Sequence, residues 1–293
     1  MADGRAVGVF DSGVGGLTVL HECLVTMPHE DFVYLGDHAR LPYGPRTSAE
    51  VRRFAHEIGA YLERQDVKMV VVACNTATSV ALPDLQEQLT MPVVSVIVPE
   101  AHAAVQATRN RRIGLLATEL TVASGRYESL VRMLDAGVQF TAVACPKLVP
   151  LIEAGDTYSD DVMAAVREYA APLKAAGCDT VILGCTHYPL LRPVFQRAFG
   201  RDVTLVFSAD ETAREVAETL ARKGFENDSA REGAYRFLTT GEPELFRSLG
   251  ERFLQLPLGD VEHVQLAELE VRDVGSTESR DSEVPASPAP ERV

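Results

Sequence analysis

The sequence is poor in positive charge: 28 Lys and Arg stand against 42 Asp and Glu, a formal net charge of −14. A nucleic-acid or anionic-membrane surface needs a basic patch to neutralise phosphate, so neither partner is expected. Lys68, Lys147, Lys174 and Lys223 are the only lysines, and none sits in a recognisable setting for a pyridoxal-phosphate Schiff base. There is no basic segment followed by an apolar run at the start, and no stretch approaches the roughly 18 apolar residues of a membrane span. A soluble, cytoplasmic protein is expected. The five cysteines are an odd number with no C-x-x-C among them, which fits reduced thiols better than a disulfide framework or a thioredoxin-type site. Cys74, Cys185 and His187 lack the spacing of a structural zinc site, so no metal is expected. Small-molecule chemistry remains.

What is present is organised around Val181–Pro189, V-I-L-G-C-T-H-Y-P. An apolar run ending in Gly184 reads as a buried parallel strand, and Cys185, Thr186 and His187 follow where such a strand hands over to a helix. Open α/β sheets bind ligands at that edge. A buried, inert cysteine would be the bland explanation. A second copy argues against it: Met69–Thr76, M-V-V-V-A-C-N-T, repeats the construction with Cys74, Asn75 and Thr76. Val7–Gly16, a strand running into the turn D-S-G-V-G-G, has a partner in Ile113–Gly125, and Asp11 to Thr118 spans nearly the offset of Cys74 to Cys185. The repeat predicts two similar doubly wound α/β halves related by pseudo-twofold symmetry, with a cleft between them that holds one thiol from each.

The turn at Asp11 and Ser12 does not match G-x-G-x-x-G, which disfavours a nucleotide. The Pro- and Gly-rich loop Asp37–Arg46 carries Tyr43 and Gly44 and is a plausible lip over a site. Thr47 and Glu50 form a capping box that opens a helix through Gln65. A strand from Pro92 to Val98, stopping at Pro99, closes the first half. In the second half, a strand over Ile113–Ala117 and another over Val138–Cys145 precede the long helix Ser159–Ala176 and the strand that ends in Cys185. Tyr235–Thr240 and the helix near Pro243–Leu256 read as a small closing subdomain. Residues 1–98 with 208–268 are expected to form one α/β domain and 99–207 the other, with 271–293 as a disordered tail.

Two thiols flanking one site suit reversible proton transfer at carbon from opposite faces: a thiolate takes a proton while the other thiol delivers one. Asn75, Thr76 and Thr186 are candidate donors to a carboxylate, and Asp11 and His187 are placed to deprotonate the thiols or hold an ammonium group. D-S-G-V-G-G-L, P-Y-G, A-C-N-T-A and G-C-T-H-Y-P, in this order, resemble the glutamate racemases of the aspartate/glutamate racemase family over roughly residues 5–265. The resemblance implies a cofactor-independent enzyme that supplies D-glutamate for peptidoglycan, with glutamate as its small-molecule substrate and a homodimeric assembly. It makes Cys74 and Cys185 the acid/base thiols, assisted by Asp11, His187 and Glu153 of L-I-E-A-G. It assigns substrate binding to Asp11, Ser12, Tyr43, Gly44, Asn75, Thr76, Thr118, Thr121, Thr186 and His187. His38, Glu100 and Ala117 depart from the family pattern. Aspartate racemases and single-thiol decarboxylases of the same fold are the neighbouring alternatives, and retention of both thiols argues against the latter. Some family members also bind DNA gyrase, a property associated with an N-terminal extension, whereas about six residues precede the first strand here.

Overall fold

The computed structural model describes residues 3–267. Up to the middle of the chain it runs β1 (Val7–Asp11), α1 (Leu17–Thr26), β2 (Phe32–Gly36), α2 (Ser48–Arg64), β3 (Met69–Val72), α3 (Asn75–Gln88), β4 (Val93–Ser95) and α4 (Ile97–Ala107). Next come β5 (Arg112–Ala117), α5 (Glu119–Ala123), α6 (Arg126–Leu134), β6 (Gln139–Ala144), α7 (Leu148–Glu153), α8 (Asp160–Ala175) and β7 (Thr180–Gly184). A short 3-10 turn, Tyr188–Leu191, leads into α9 (Arg192–Phe199), β8 (Thr204–Val206), α10 (Ser208–Lys223), β9 (Tyr235–Thr239), α11 (Pro243–Leu254) and β10 (Val261–His263).

The strands form a six-stranded sheet in the order β10-β9-β2-β1-β3-β4 and a four-stranded sheet in the order β6-β5-β7-β8. Every pairing within them is parallel. The β2-β1-β3-β4 part of the first sheet and the whole of the second have the same order relative to the chain, which is the repeat read from the sequence. Helices cover both faces of the first sheet, which is why its strands carry apolar residues on both sides instead of alternating with polar ones. Along β3, Met69 and Val71 face one core while Val70 and Val72 face the other. The first of these cores continues through Ile97 and Ala101 of α4 into Val181 and Leu183 of the second sheet.

Local signals hold where they are strongest. Thr47 accepts from the Glu50 amide at 3.2 Å and Glu50 Oε2 accepts from the Thr47 amide at 2.9 Å, completing the capping box. Two expectations are corrected. The strand expected over Pro92–Val98 ends at Ser95, and Pro99 falls in the first turn of α4, where a missing amide hydrogen costs no helical bond. Tyr235–Thr239 is no separate subdomain: β9 pairs with β2 and extends the first sheet, and α11 packs on α1. The tail assigned to 271–293 lies outside the described residues.

Candidate active site

A cavity of about 110 Å³ opens where the carboxyl edges of the two sheets meet. Five strand ends each lead within one or two positions to a lining residue: Ser12 after β1, Cys74 after β3, Thr118 after β5, Cys145 after β6 and Cys185 after β7. This is the edge at which parallel sheets leave free backbone groups and present ligand sites. Tyr43, Gly44, Asn75, Thr76, Thr186 and His187 complete the predicted part of the wall. Neither Lys nor Arg lines the cavity among the described residues. Lys68 is buried elsewhere, paired with Glu30 and bonded to the Asp3 and Phe225 carbonyls.

Cys74 caps α3, its sulfur accepting from the Ala77 amide at 3.4 Å. Burial pushes this thiol well above its ordinary range, and the Asp11 carboxylate pushes it further, against smaller opposing contributions from Ala77 and Ser12. Both effects favour its protonated form. On the other side, Cys185 Sγ lies 3.8 Å from His187 Nδ1, and His187 Nε2 lies 2.6 Å from Glu153 Oε1. Burial alone would lower the His187 pKa, but its bonds to Cys185 and Glu153 prevail and raise it well above the usual value. Burial would raise the Glu153 carboxyl, yet His187 and His38 together bring it down to about 2. His38 Nε2 stands 3.6 Å from Glu153 Oε2. The D-S-G-V-G-G turn is pressed against this group: a Cβ on Gly15 would lie 2.5 Å from both His187 Nδ1 and Thr186 Oγ1.

Three predicted residues stand behind the wall and do not line it. Asp11 is fully buried and accepts from the Gly13 and Gly16 amides at 3.2 and 3.0 Å, with Thr186 Oγ1 at 3.4 Å. It shapes the turn that presents Ser12. Thr121 Oγ1 meets Thr118 Oγ1 at 2.9 Å, and Thr118 in turn meets Thr76 at 2.9 Å, a hydroxyl chain that joins the two halves. Glu153 acts on the cavity only through His187. Asn75 lines the cavity, and its amide nitrogen donates to Glu100 Oε2 at 3.0 Å and Tyr127 Oη at 2.7 Å, both outside the wall. Among residues the sequence reading left out, Leu41, Glu119, Cys145 and Val149 also line the cavity. Cys145 had a usable signal, since it too follows a strand into the same edge. Glu119 and Val149 lie on α5 and α7, whose approach depends on tertiary packing.

The family model for Asp/Glu/Hydantoin racemase matches residues 18–216. A glutamate racemase of Listeria monocytogenes is 44% identical over 262 residues, covering 89% of this chain and 98% of that protein. The crystal structure of glutamate racemase isoform RacE1 from Bacillus anthracis superposes with a TM-score of 0.85 at 41% identity, covering 89% of this chain and 98% of the other. That of the Francisella tularensis glutamate racemase in complex with D-glutamate also gives a TM-score of 0.85, at 31% identity, covering 90% and 98%. With its paired parallel sheets and a two-thiol cleft, the chain belongs to the Asp/Glu racemase family. It is accordingly an enzyme, a racemase of the isomerase class.

Proposed function

We propose that this racemase interconverts L- and D-glutamate without a cofactor, using Cys74 and Cys185 as opposed acid and base. The observation that carries the reading is the delivery of two buried thiols, from equivalent strand ends of two like sheets, into one small cavity. In each cycle one sulfur, as thiolate, takes the α-proton; the C–H electron pair stays on the substrate, delocalised into its carboxylate. The other thiol then protonates the carbon from the opposite face, so the two sulfurs exchange protonation states. Ser12, Tyr43, Gly44, Asn75, Thr76, Thr118, Thr186 and His187 form the binding wall, with Asp11 and Thr121 supporting it. Neutral hydroxyls and backbone amides then stabilise the charge that develops on the carboxylate. Glu153 holds the His187 ring and its charge beside Cys185.

The same reading divides the chain into one domain of 1–98 with 208–268 and another of 99–207, and has the enzyme act as a cytoplasmic homodimer supplying D-glutamate for peptidoglycan. Among the described residues no helix is long and apolar enough to cross a membrane. The test is circular dichroism of purified, cofactor-free protein incubated with L- or D-glutamate, with aspartate as control. Decay of ellipticity to zero from either glutamate enantiomer is expected. Preferential loss of the aspartate signal would overturn the substrate assignment.

A further inference from the structure

Between the end of β2 and the start of α2 the chain supplies five consecutive wall residues, Leu41 to Pro45, a longer run than any other segment gives the cavity. Little main chain holds this lip in place. Pro42 and Pro45 have no amide hydrogen. Among the described residues, the backbone hydrogen bonds of residues 41–46 are two: the Arg46 amide donates to the Tyr43 carbonyl at 3.1 Å, and the Leu120 amide donates to the Gly44 carbonyl at 3.3 Å. The second reaches α5 of the other half, and there is no slack there. A Cβ on Gly44 would lie 3.0 Å from Glu119 Oε2 and 3.2 Å from Thr118 Cβ. Side chains from outside the wall supply more of the hold. Asp37, fully buried just after β2, accepts from Thr240 Oγ1 at 2.7 Å on Oδ1; on Oδ2 it accepts from Arg40 Nε at 2.7 Å and from the Tyr43 hydroxyl. Arg40 also donates through Nη1 to the buried Glu57 of α2, and its guanidinium lies 4.1 Å from the centre of the Phe54 ring. The Tyr43 ring packs on the same Phe54, with centroids 5.6 Å apart.

We propose that Asp37 and Arg40 are positioning residues for the binding wall: with Glu57 behind them they hold the Tyr43 phenol as an internal anchor, and through it fix residues 41–45 against the second half. The proposal rests on the substrate reading above for the identity of the ligand that the wall receives. Tyr43 serves the site through its placement and not by donating its hydroxyl. A phenol carries one O–H, and this one is spent on Asp37. Burial, and then Asp37, hold the phenol well above its ordinary pKa, so the proton stays in place to be donated. The Asp37 oxygens are equally committed, one to Thr240 and the other to Arg40 and Tyr43. Removing one partner leaves a buried polar group unpaired, which costs more than the bond itself contributes. The anchors belong to regular elements on either side, since Thr240 directly follows β9 and Glu57 lies within α2. The lip therefore takes its position from the frame of the first sheet, before any ligand is bound.

The test uses the full chain with D37A, R40K, Y43F and the double variant D37A/Y43F. R40K keeps the charge but loses the planar fork that reaches both carboxylates; Y43F keeps the ring on Phe54 and loses only the hydroxyl. The first readout needs no turnover: hydrogen–deuterium exchange of the ligand-free protein, read by mass spectrometry of its peptides. Each single variant should speed exchange over residues 41–46 on the order of 10-fold, the equivalent of about one lost hydrogen bond, while β1 and β3 keep the wild-type rate. Unchanged exchange in the lip, as a hydroxyl serving only the ligand would give, would overturn the proposal whatever the substrate. So would a rise shared equally by β1 and β3, which would mean that the network serves the fold as a whole. The second readout is steady-state racemisation, in which wild-type turnover of glutamate reports separately on the substrate reading. Y43F should raise KM on the order of 10-fold and leave kcat within about threefold, as expected for a displaced binding wall. In the D37A background Y43F should cost nothing further, because its hydroxyl has already lost its acceptor. Losses that multiply in the double variant would overturn the proposal. If D37A does not fold, the exchange measurement on R40K and Y43F carries the test, with the same outcomes.

Discussion

Cys74 and Cys185 stand at corresponding places in two copies of one topology, yet the chain has surrounded them differently. On the Cys74 side, burial and the Asp11 carboxylate both push the thiol up, against a weaker opposing bond from the Ala77 amide at 3.4 Å. The Cys185 side offers a histidine backed by Glu153, with His38 beyond it. An imidazolium next to a sulfur favours its thiolate; a carboxylate next to a sulfur favours its thiol. The repeat thus places two thiols at equivalent strand ends beside one cavity, and the divergence between copies gives them different neighbours.

The sharpest way to break this comparison is to remove one thiol at a time. C74A and C185A should each lower racemisation by more than 10³-fold, the upper part of what a positioned acid or base contributes. The two variants should nevertheless differ in a half-reaction. In deuterated water, C74A retains Cys185 and should exchange the α-proton of one enantiomer only; C185A should exchange the other. Mass spectrometry of recovered substrate reads this directly. Exchange of the same enantiomer by both variants would show that the thiols do not face opposite sides of the carbon.

Much of this contrast was legible in the sequence, and the limits are physical. Both thiols, their following polar residues and the repeat of the two halves could be read because strand-to-helix junctions are local, with apolar runs ending in Gly184 or Ala73 and polar residues immediately after. His187 was visible for the same reason, two positions from Cys185. Glu153 was assigned by resemblance alone, since by sequence it is a carboxylate at a helix end, and only the packing of α7 brings it to His187. Glu100 and Tyr127 carried no positional hint of Asn75, because three helices from distant parts of the chain must meet before their bonds exist. Pro99 misled in the opposite direction: a local breaker signal was read as a stop, and the residue sits where a helix begins.

A second way to sharpen the comparison is through stability against pH, which reports the Cys185 side alone. Glu153 titrates at about 2 in the folded protein against an ordinary value of 4.5, and its side chain is 14% exposed. Because the folded value is depressed, the unfolded chain takes up the proton first. The stabilisation is therefore fully present above about pH 4.5 and is lost as pH falls toward 2, amounting to on the order of 3 kcal/mol in all. His187 has the opposite sign: its raised value stabilises below its ordinary pKa and the benefit fades as pH rises through the folded one. Both effects describe one hydrogen-bonded pair and do not add. E153Q should flatten the fall in urea midpoint between pH 5 and pH 3 by about 2 kcal/mol of stability relative to wild type. An unchanged slope would place the acid sensitivity elsewhere.

The smallest expected effect asks whether a thiol at a strand end is sufficient. Cys145 follows β6 into the same edge and lines the same cavity, so position alone would nominate it as a third acid or base. Its surroundings do not. Burial pushes its thiol well above the ordinary range, the Tyr188 hydroxyl opposes this only in part, and its hydrogen points to the Val143 carbonyl at 3.6 Å. It has neither the amide of a helix N-terminus, as Cys74 has, nor an imidazole, as Cys185 has. C145A should therefore reduce kcat by no more than about threefold and cost roughly 1 kcal/mol of stability through the small void it leaves. Thermal unfolding measured beside steady-state racemisation separates the two contributions. A loss of kcat comparable to that of C185A, in folded protein, would mean that the edge position and not the neighbours confers the chemistry, and the contrast drawn between Cys74 and Cys185 would lose its basis.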